Sequence, residues 1–321
     1  MSKYSEIYGV DISKDFFDIA NKKGKHQQFS NSMEGFKQFS RLLAKSTLVV
    51  MEATGYYHYC LAQYLKDKGY IVSVVNPLSV KRFIQMKLSK VKTDKSDAKA
   101  ICEYACVNEV PLYTGKNQNQ AECLQILRML EVYTKQSTAL KNKVHGEKTL
   151  GKPSKIVYHS LNRMLKSIKR EVQVLEKRLL ELVKEEQQDQ LTLLKSIPGM
   201  GVKTAMMLIV MTDGFERFEN SKQLCSYIGI TPTIRQSGNS VRGRSRISKM
   251  GNRQLRSLLF LCSFSAYKYN KSCKDLFDRI VAKGKSKKLA LIAVSNKLLK
   301  QAFAIVKSGL PYDENFVSKL S

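Results

Sequence analysis

One carboxylate stands where it is costly to keep, and three more are placed to share its compensation. Asp11 sits inside the apolar stretch Ile7-Tyr8-Gly9-Val10-Asp11-Ile12, Glu52 ends the run Leu48-Val49-Val50-Met51, and Asp94 and Asp97 lie three apart in Thr93-Asp94-Lys95-Ser96-Asp97. An acid in an apolar strand needs a cation or a donor to compensate its burial, and residues three apart on a helix share a face. Two acids on separate strands and a pair on one helical turn therefore make a hard, oxygen-rich donor set. Mg²⁺ suits such a set, with Mn²⁺ as its substitute, and two ions close together steady both the entering and the departing oxygen of phosphoryl transfer. Every globular protein has acids; the signal lies in the order strand centre, strand end, helix face.

A second centre is a hydroxyl. Ser237 stands beside Gly238 in the loop Arg235-Gln236-Ser237-Gly238-Asn239-Ser240-Val241-Arg242-Gly243-Arg244-Ser245-Arg246. Its arginines, Arg235, Arg242, Arg244 and Arg246, can hold a phosphate by bidentate contact. A serine there is either a phosphate-contacting turn residue or, with a base or a metal to activate it, a nucleophile; Ser240 and Ser245 are its local rivals. The basic run continues through Lys249 and Arg253, and no acid occurs from Arg235 to Arg256. Further phosphate contacts are expected from Lys90, Lys92 and Lys95, just ahead of or between the paired acids, and from Gly199, Gly201 and Lys203. The last three belong to Ile197-Pro198-Gly199-Met200-Gly201-Val202-Lys203, which is similar to the turn of a helix-hairpin-helix module, where backbone N–H groups at a helix start bind phosphate. The bland alternative for that turn is a tight corner between core helices.

The chain has 321 residues and a formal net charge of +28, with 55 basic residues against 27 acids. Such an excess suits a polyanion, above all nucleic acid, with an acidic membrane surface as the competitor. No uninterrupted apolar run approaches the roughly 18 residues of a spanning helix, and the first residues lack the apolar core of a secretory signal. Seven cysteines, none in a C-x-x-C spacing, argue against disulfides and zinc and for a reducing cytoplasm. Cys102 and Cys106, on one helix face, are expected as buried thiols. The four histidines show no metal-ligand spacing.

Positioning the acids requires a sheet. Three short strands are expected between Tyr4 and Asn31, with a turn at Ser13-Lys14-Asp15. Next come a helix capped by Asn31 or Ser32 with Phe36, Phe39, Leu42 and Leu43 inward, a strand ending in Glu52, a helix from Tyr56 to Lys68 and a strand over Ile71–Val75. Strands alternating with helices after a meander imply a mixed sheet covered by helices, with its site near strand ends. From Asn117 to Lys195 two long helices are expected around a break at Gly146–Pro153. The second carries a heptad seam, Leu161, Leu165, Ile168, Val172, Leu175, Leu179 and Leu182, whose register stops near Glu186. The remainder is mainly helical.

Taken together and in this order, Gly9-Val10-Asp11-Ile12-Ser13-Lys14, Met51-Glu52-Ala53-Thr54-Gly55, Lys92-Thr93-Asp94-Lys95-Ser96-Asp97-Ala98, Ile197-Pro198-Gly199-Met200-Gly201, Gln236-Ser237-Gly238 and Ile247-Ser248-Lys249-Met250-Gly251-Asn252 resemble the motifs of the DEDD transposases of bacterial insertion sequences. That family takes in the invertase of pilin genes and the RNA-guided bridge recombinases. The resemblance implies an α/β plus α architecture: a RuvC-like, ribonuclease-H-type catalytic domain over residues 1–113, a coiled-coil helical hairpin over 114–195, and a carboxy-terminal transposase domain over 196–321. It implies Asp11, Glu52, Asp94 and Asp97 as Mg²⁺-holding catalytic acids and Ser237 as the residue that attacks DNA. It also implies double-stranded donor and target DNA, a structured guide RNA encoded by the element, a dimer or tetramer, and a place with the nucleoid in the bacterial cytoplasm. A junction-resolving or other metal nuclease using water, a site-specific invertase, and a non-catalytic nucleic-acid-binding protein are the competing expectations.

Overall fold

The computed structural model describes residues 4–53, 55–87, 93–151, 154–233, 236–237, 241–242 and 246–315. They divide into two compact units, Met1–Asn117 and Gln118–Ser321. The architecture is mixed α/β and mostly helical, with eleven helices among the described residues.

In the first unit, β1 (Glu6–Ile12), β2 (Phe16–Asn21) and β3 (His26–Ser30) form an antiparallel meander, and β4 (Thr47–Glu52) and β5 (Ile71–Val75) add in parallel on the other side of β1. The order across the sheet is β3-β2-β1-β4-β5. Helices α1 (Met33–Ser40), α2 (His58–Asp67), α3 (Pro77–Met86) and α4 (Asp94–Val107) complete the unit. Because successive strand residues point to opposite faces, β1 serves two environments. Tyr8, Val10 and Ile12 join Phe17, Phe36, Phe39 and Leu61 in one apolar layer beneath α1 and α2. Ile7, Leu48, Val50 and Val75 join Ile101 and Ala105 of α4 in a second layer on the opposite face.

Ser32 caps α1 by accepting from the Gly35 amide, and Phe36, Phe39 and Leu43 are buried as their spacing predicts. Leu42 is not: α1 ends at Ser40, so the 3.6-residue period no longer turns Leu42 inward, and it is 36% exposed. The second helix starts at His58 rather than Tyr56, leaving Tyr56 and Tyr57 in an exposed turn. Cys102 is buried, with its thiol donating to the Ile7 carbonyl and pushed up to about 12 by burial. Cys106, against expectation, is exposed.

The second unit has one core. It draws on α5 (Gln118–Thr149), α6 (Lys155–Lys195), α7 (Val202–Thr212), α8 (Ser221–Ile228), α9 (Arg253–Tyr269), α10 (Lys271–Ala282) and α11 (Lys287–Ser308). Along α6 the heptad residues Ile168, Leu179 and Leu182 are buried, and Leu161, Leu165, Val172 and Leu175 are half-buried. The helix departs from helical geometry at Gln187, where the heptad register lapses. By length and composition α11 is apolar enough to cross a membrane, which no uninterrupted apolar run in the sequence had foreshadowed. Its Ala290, Leu291, Val294, Leu298, Leu299 and Ala302 are all buried against the protein, as befits the central helix of a core.

Candidate active site

The sheet register explains how the acids meet. Gly9, on the face opposite Tyr8 and Val10, lies so close under α4 that a Cβ there would sit 2.2 Å from the Ala98 carbonyl oxygen and 2.3 Å from the Cys102 amide nitrogen. No side chain but hydrogen permits that approach. Asp11, two residues on, therefore points to the same face beside the first turn of α4, where Asp94 and Asp97 reside. Thr93 sets that turn: its hydroxyl accepts from the Ser96 amide and Ser96 Oγ accepts from the Thr93 amide, a reciprocal cap. Glu52 lies one step beyond the Val10–Met51 pair of the parallel β1–β4 ladder, on the face of Leu48 and Val50. Strand centre, strand end and helix face thus converge.

Electrostatics records the convergence. Burial, followed by the charges of Asp97, Asp94 and Asp18, raises the Asp11 carboxyl to about 6. Burial, then Asp11 and Asp97, raises Glu52 to about 7. The acids feel one another's charge, yet among the described residues no three His, Cys, Asp or Glu side chains converge tightly enough to hold one ion. These two observations differ because Coulomb repulsion acts over a longer range than a ligand bond. The donor set, all carboxylate and mutually repulsive, suits a hard divalent cation by its chemistry.

Sequence inspection missed Asp18. It pairs directly with Asp11 in the β1–β2 hairpin, so its side chain shares the Asp11 face. It is buried, with His26 Nε2 2.7 Å from one oxygen and Gln28 Nε2 donating to the other at 3.0 Å. The available signal was Asp18 alternating with Phe17 and Ile19 in the second strand of the hairpin; only the register sets it opposite Asp11.

In the second unit the serine is carried on paired short strands. β6 (Pro232–Thr233) pairs with β9 (Arg246–Ile247), and between them in sequence β7 (Gln236–Ser237) pairs with β8 (Val241–Arg242) in the register Ser237↔Val241. The expected open loop is thus a β-hairpin arm. Its foot is a tight crossing. A Cβ on Gly229 would lie 2.3 Å from the Met250 carbonyl oxygen, and one on Gly251 2.2 Å from that of Tyr227. The Lys249 amide donates to the Gly229 carbonyl and the Ser248 amide to that of Thr231. Arg256 donates to the Ile228 carbonyl at 2.7 Å, and Asn252 caps α9. Ile247 to Asn252 is therefore the clamp at the base of the arm.

Of the remaining candidates, Lys95, Arg246, Lys249 and Arg253 are exposed. Lys203 is paired with Glu176. Gly199, at φ 97°, meets α9, where a Cβ would stand 2.7 Å from Ala266; Gly201 caps α7 in the open. Lys90, Lys92, Arg235, Ser240, Arg244 and Ser245 lie outside the described residues, and only the backbone positions of Ser237 and Arg242 are described. A groove of about 1530 Å³ runs between the β6–β9 pair, α10, α11 and residues 310–314. Arg246, Lys249, Arg279, Lys288, Lys297 and Lys300 outnumber its two acids, Asp313 and Glu314.

A group of carboxylates on a mixed sheet, in a chain so rich in cations, suits phosphoryl-transfer chemistry on nucleic acid. Comparison with known proteins names the family. A family model described as Transposase, of the DEDD type of IS110, matches residues 8–147, and that of the Transposase IS116/IS110/IS902 family matches residues 191–278. A pilin gene-inverting protein of Moraxella bovis is 30% identical over 95% of this chain and 97% of its own length. A transposase for insertion sequence element IS1111A of Coxiella burnetii is 26% identical over 91% of this chain and 87% of its own. The chain belongs to the IS110-type DEDD transposases: it is a DNA transposase or recombinase, and the family implies a divalent metal and a DNA substrate.

Proposed function

We propose that this enzyme cuts and rejoins DNA by a Mg²⁺-dependent transfer to serine. Asp11, Glu52, Asp94 and Asp97 would hold the metal, two ions at full occupancy and Mn²⁺ in substitution, and Ser237 would attack phosphorus. The observation that carries this reading is the gathering of four carboxylates from β1, β4 and α4 on one sheet face, where burial first and the charge of neighbouring acids second raise Asp11 and Glu52. The strand order β3-β2-β1-β4-β5 supports a RuvC-like, ribonuclease-H-type first domain. The α5–α6 pair supports the coiled-coil hairpin that separates it from the carboxy-terminal transposase domain.

When bound, the cation supplies charge to steady the oxygens entering and leaving phosphorus. Ser237 Oγ forms a bond to phosphorus, loses its proton to solvent or a carboxylate, and displaces one sugar oxygen. The resulting phosphoserine ester keeps the broken bond's free energy available for rejoining. Arg246, Lys249 and Arg253, with Arg235, Arg242 and Arg244, neutralise phosphates around the arm. The basic groove gives room for a further nucleic-acid segment, and we assign it to DNA or to a structured guide RNA encoded by the element. A homo-oligomer is part of this reading, because at the distal end of the α5–α6 hairpin the seam residues Leu161 and Leu165 are only half-buried, and Leu150, Ile156 and Met164 nearby are open to solvent. The site of action is the bacterial cytoplasm, with the DNA.

Adduct capture tests it. Full-length protein incubated with Mg²⁺ and DNA bearing the element's ends, then denatured, should carry covalently attached DNA, and Ser237→Ala should carry none. Cleavage by both forms without an adduct would mean that water is the nucleophile. Mixing Asp11→Ala with Ser237→Ala subunits should restore activity if the acids and the serine of one site come from different copies.

A further inference from the structure

Asp11 and Asp18 are partners across the β1–β2 hairpin, so two carboxylates lie side by side on one sheet face, where opposed like charges weaken a strand pair. Only one of the two is tied down. Asp18 is 6% exposed, and both its oxygens are engaged, by His26 and Gln28. Gln28 is its direct partner on β3, and His26 opposes Ala20, two residues along on the same face. Turning Asp18 toward Asp11 would break both contacts and leave a buried carboxylate unsatisfied. Among the described residues, none of Asp11, Glu52, Asp94 and Asp97 has its carboxylate held by a side-chain hydrogen bond or ion pair. One acid is anchored by two side chains, and the other four have no such tie.

Resting on the cation-holding role given to those four, we propose that Asp18 is a positioning residue of the carboxylate centre. Anchored by His26 and Gln28, it acts through Asp11, limiting the orientations that side chain adopts and tightening the centre's grip on a divalent cation it does not itself touch. Like charge on a rigid neighbour disfavours rotation of Asp11 toward Asp18, and so counters the stronger push that Asp97 and Asp94 exert from the α4 side. Carboxylates and hydrogen bonds behind a metal's own ligands commonly act in this way.

The test is a Mn²⁺ titration of the full-length protein, followed by the electron paramagnetic resonance of the free ion, with thermal melting in EDTA alongside. Asp18→Asn should weaken Mn²⁺ binding about tenfold, and His26→Leu should follow it, while His26→Gln, which keeps an amide donor for Asp18, should stay within about twofold of the parent. Melting in EDTA shows which variants fold; where Asp18→Asn does not, the contrast between His26→Leu and His26→Gln decides. Unaltered Mn²⁺ binding in Asp18→Asn and His26→Leu overturns the proposal. So does loss in Asp18→Asn as complete as in Asp11→Asn, since Asp18 would then be a ligand. A parent protein that binds no Mn²⁺ overturns the cation-holding reading itself, a result distinct from either.

Discussion

The two units solve opposite problems with the same device, a backbone brought too close for a side chain. In the first, Gly9 lets α4 rest on β1 with its Asp94 and Asp97, and the register of β2, β1 and β4 fixes where Asp18, Asp11 and Glu52 stand. In the second, Gly229 and Gly251 let two chain segments cross, and the crossing holds only the foot of the arm that bears Ser237. The acids proposed to share a cation are set by a broad sheet and the helix packed on it. The serine proposed to attack DNA is carried on a two-strand ribbon beyond a clamp. A site built by register tolerates little substitution within it, whereas a site on an arm depends on the base from which it projects.

The largest effects should fall on the reacting groups and should separate the two regions. Asp11→Asn and Glu52→Gln are expected to lower DNA rearrangement in cells by about three orders of magnitude, and Ser237→Ala by as much. Only Ser237→Ala should retain parental Mn²⁺ binding, and an equal loss of that binding in all three would break the contrast.

Next come the close approaches. Gly9→Val should cost about 1–3 kcal/mol, read by denaturant unfolding, because α4 has to lift. It should weaken Mn²⁺ binding, since Asp94 and Asp97 move with the helix. Gly251→Ala combines φ 134° with contact against Tyr227 and should cost about 2 kcal/mol. It should reduce covalent DNA capture and leave Mn²⁺ binding unaltered.

A smaller effect follows from pH. Asp11 and Glu52, raised to about 6 and about 7 in the folded protein, bind protons more tightly there than in the unfolded chain. Without divalent cations, stability should therefore fall as pH rises from about 4 to about 7. Glu52→Gln should flatten that slope and melt a few degrees higher than the parent at pH 8 in EDTA. Mn²⁺ should offset the loss in the parent alone. Smallest of all, Lys203→Ala should change stability by less than about 0.5 kcal/mol, because its pair with Glu176 is exposed. A larger drop in DNA affinity than in stability would place Lys203 at the nucleic acid.

Much of this was legible before folding. Val and Ile runs foretold β1, β4 and β5, with β5 falling on Ile71–Val75 as expected, and the heptad of α6 foretold both its seam and its lapse near Gln187. These are local: strand propensity, period and capping act over a few residues. Leu42 failed because where a helix stops is decided by the packing of its last turn. The serine region appeared as an open loop because a two-residue strand is too short to leave any periodic trace.

By itself, then, the sequence determined the supply of oxygen donors, the serine, the cationic excess and the order of the elements that carry them. Tertiary structure alone decided that Asp18 stands across from Asp11, that α4 lies close enough to bring Asp94 and Asp97 to the same face, and that Gly229 and Gly251 form one joint. Chemistry resides in side chains and is read residue by residue. Proximity between residues far apart in the chain depends on strand register and on interhelical distance, which many weak contacts settle jointly and no single segment encodes.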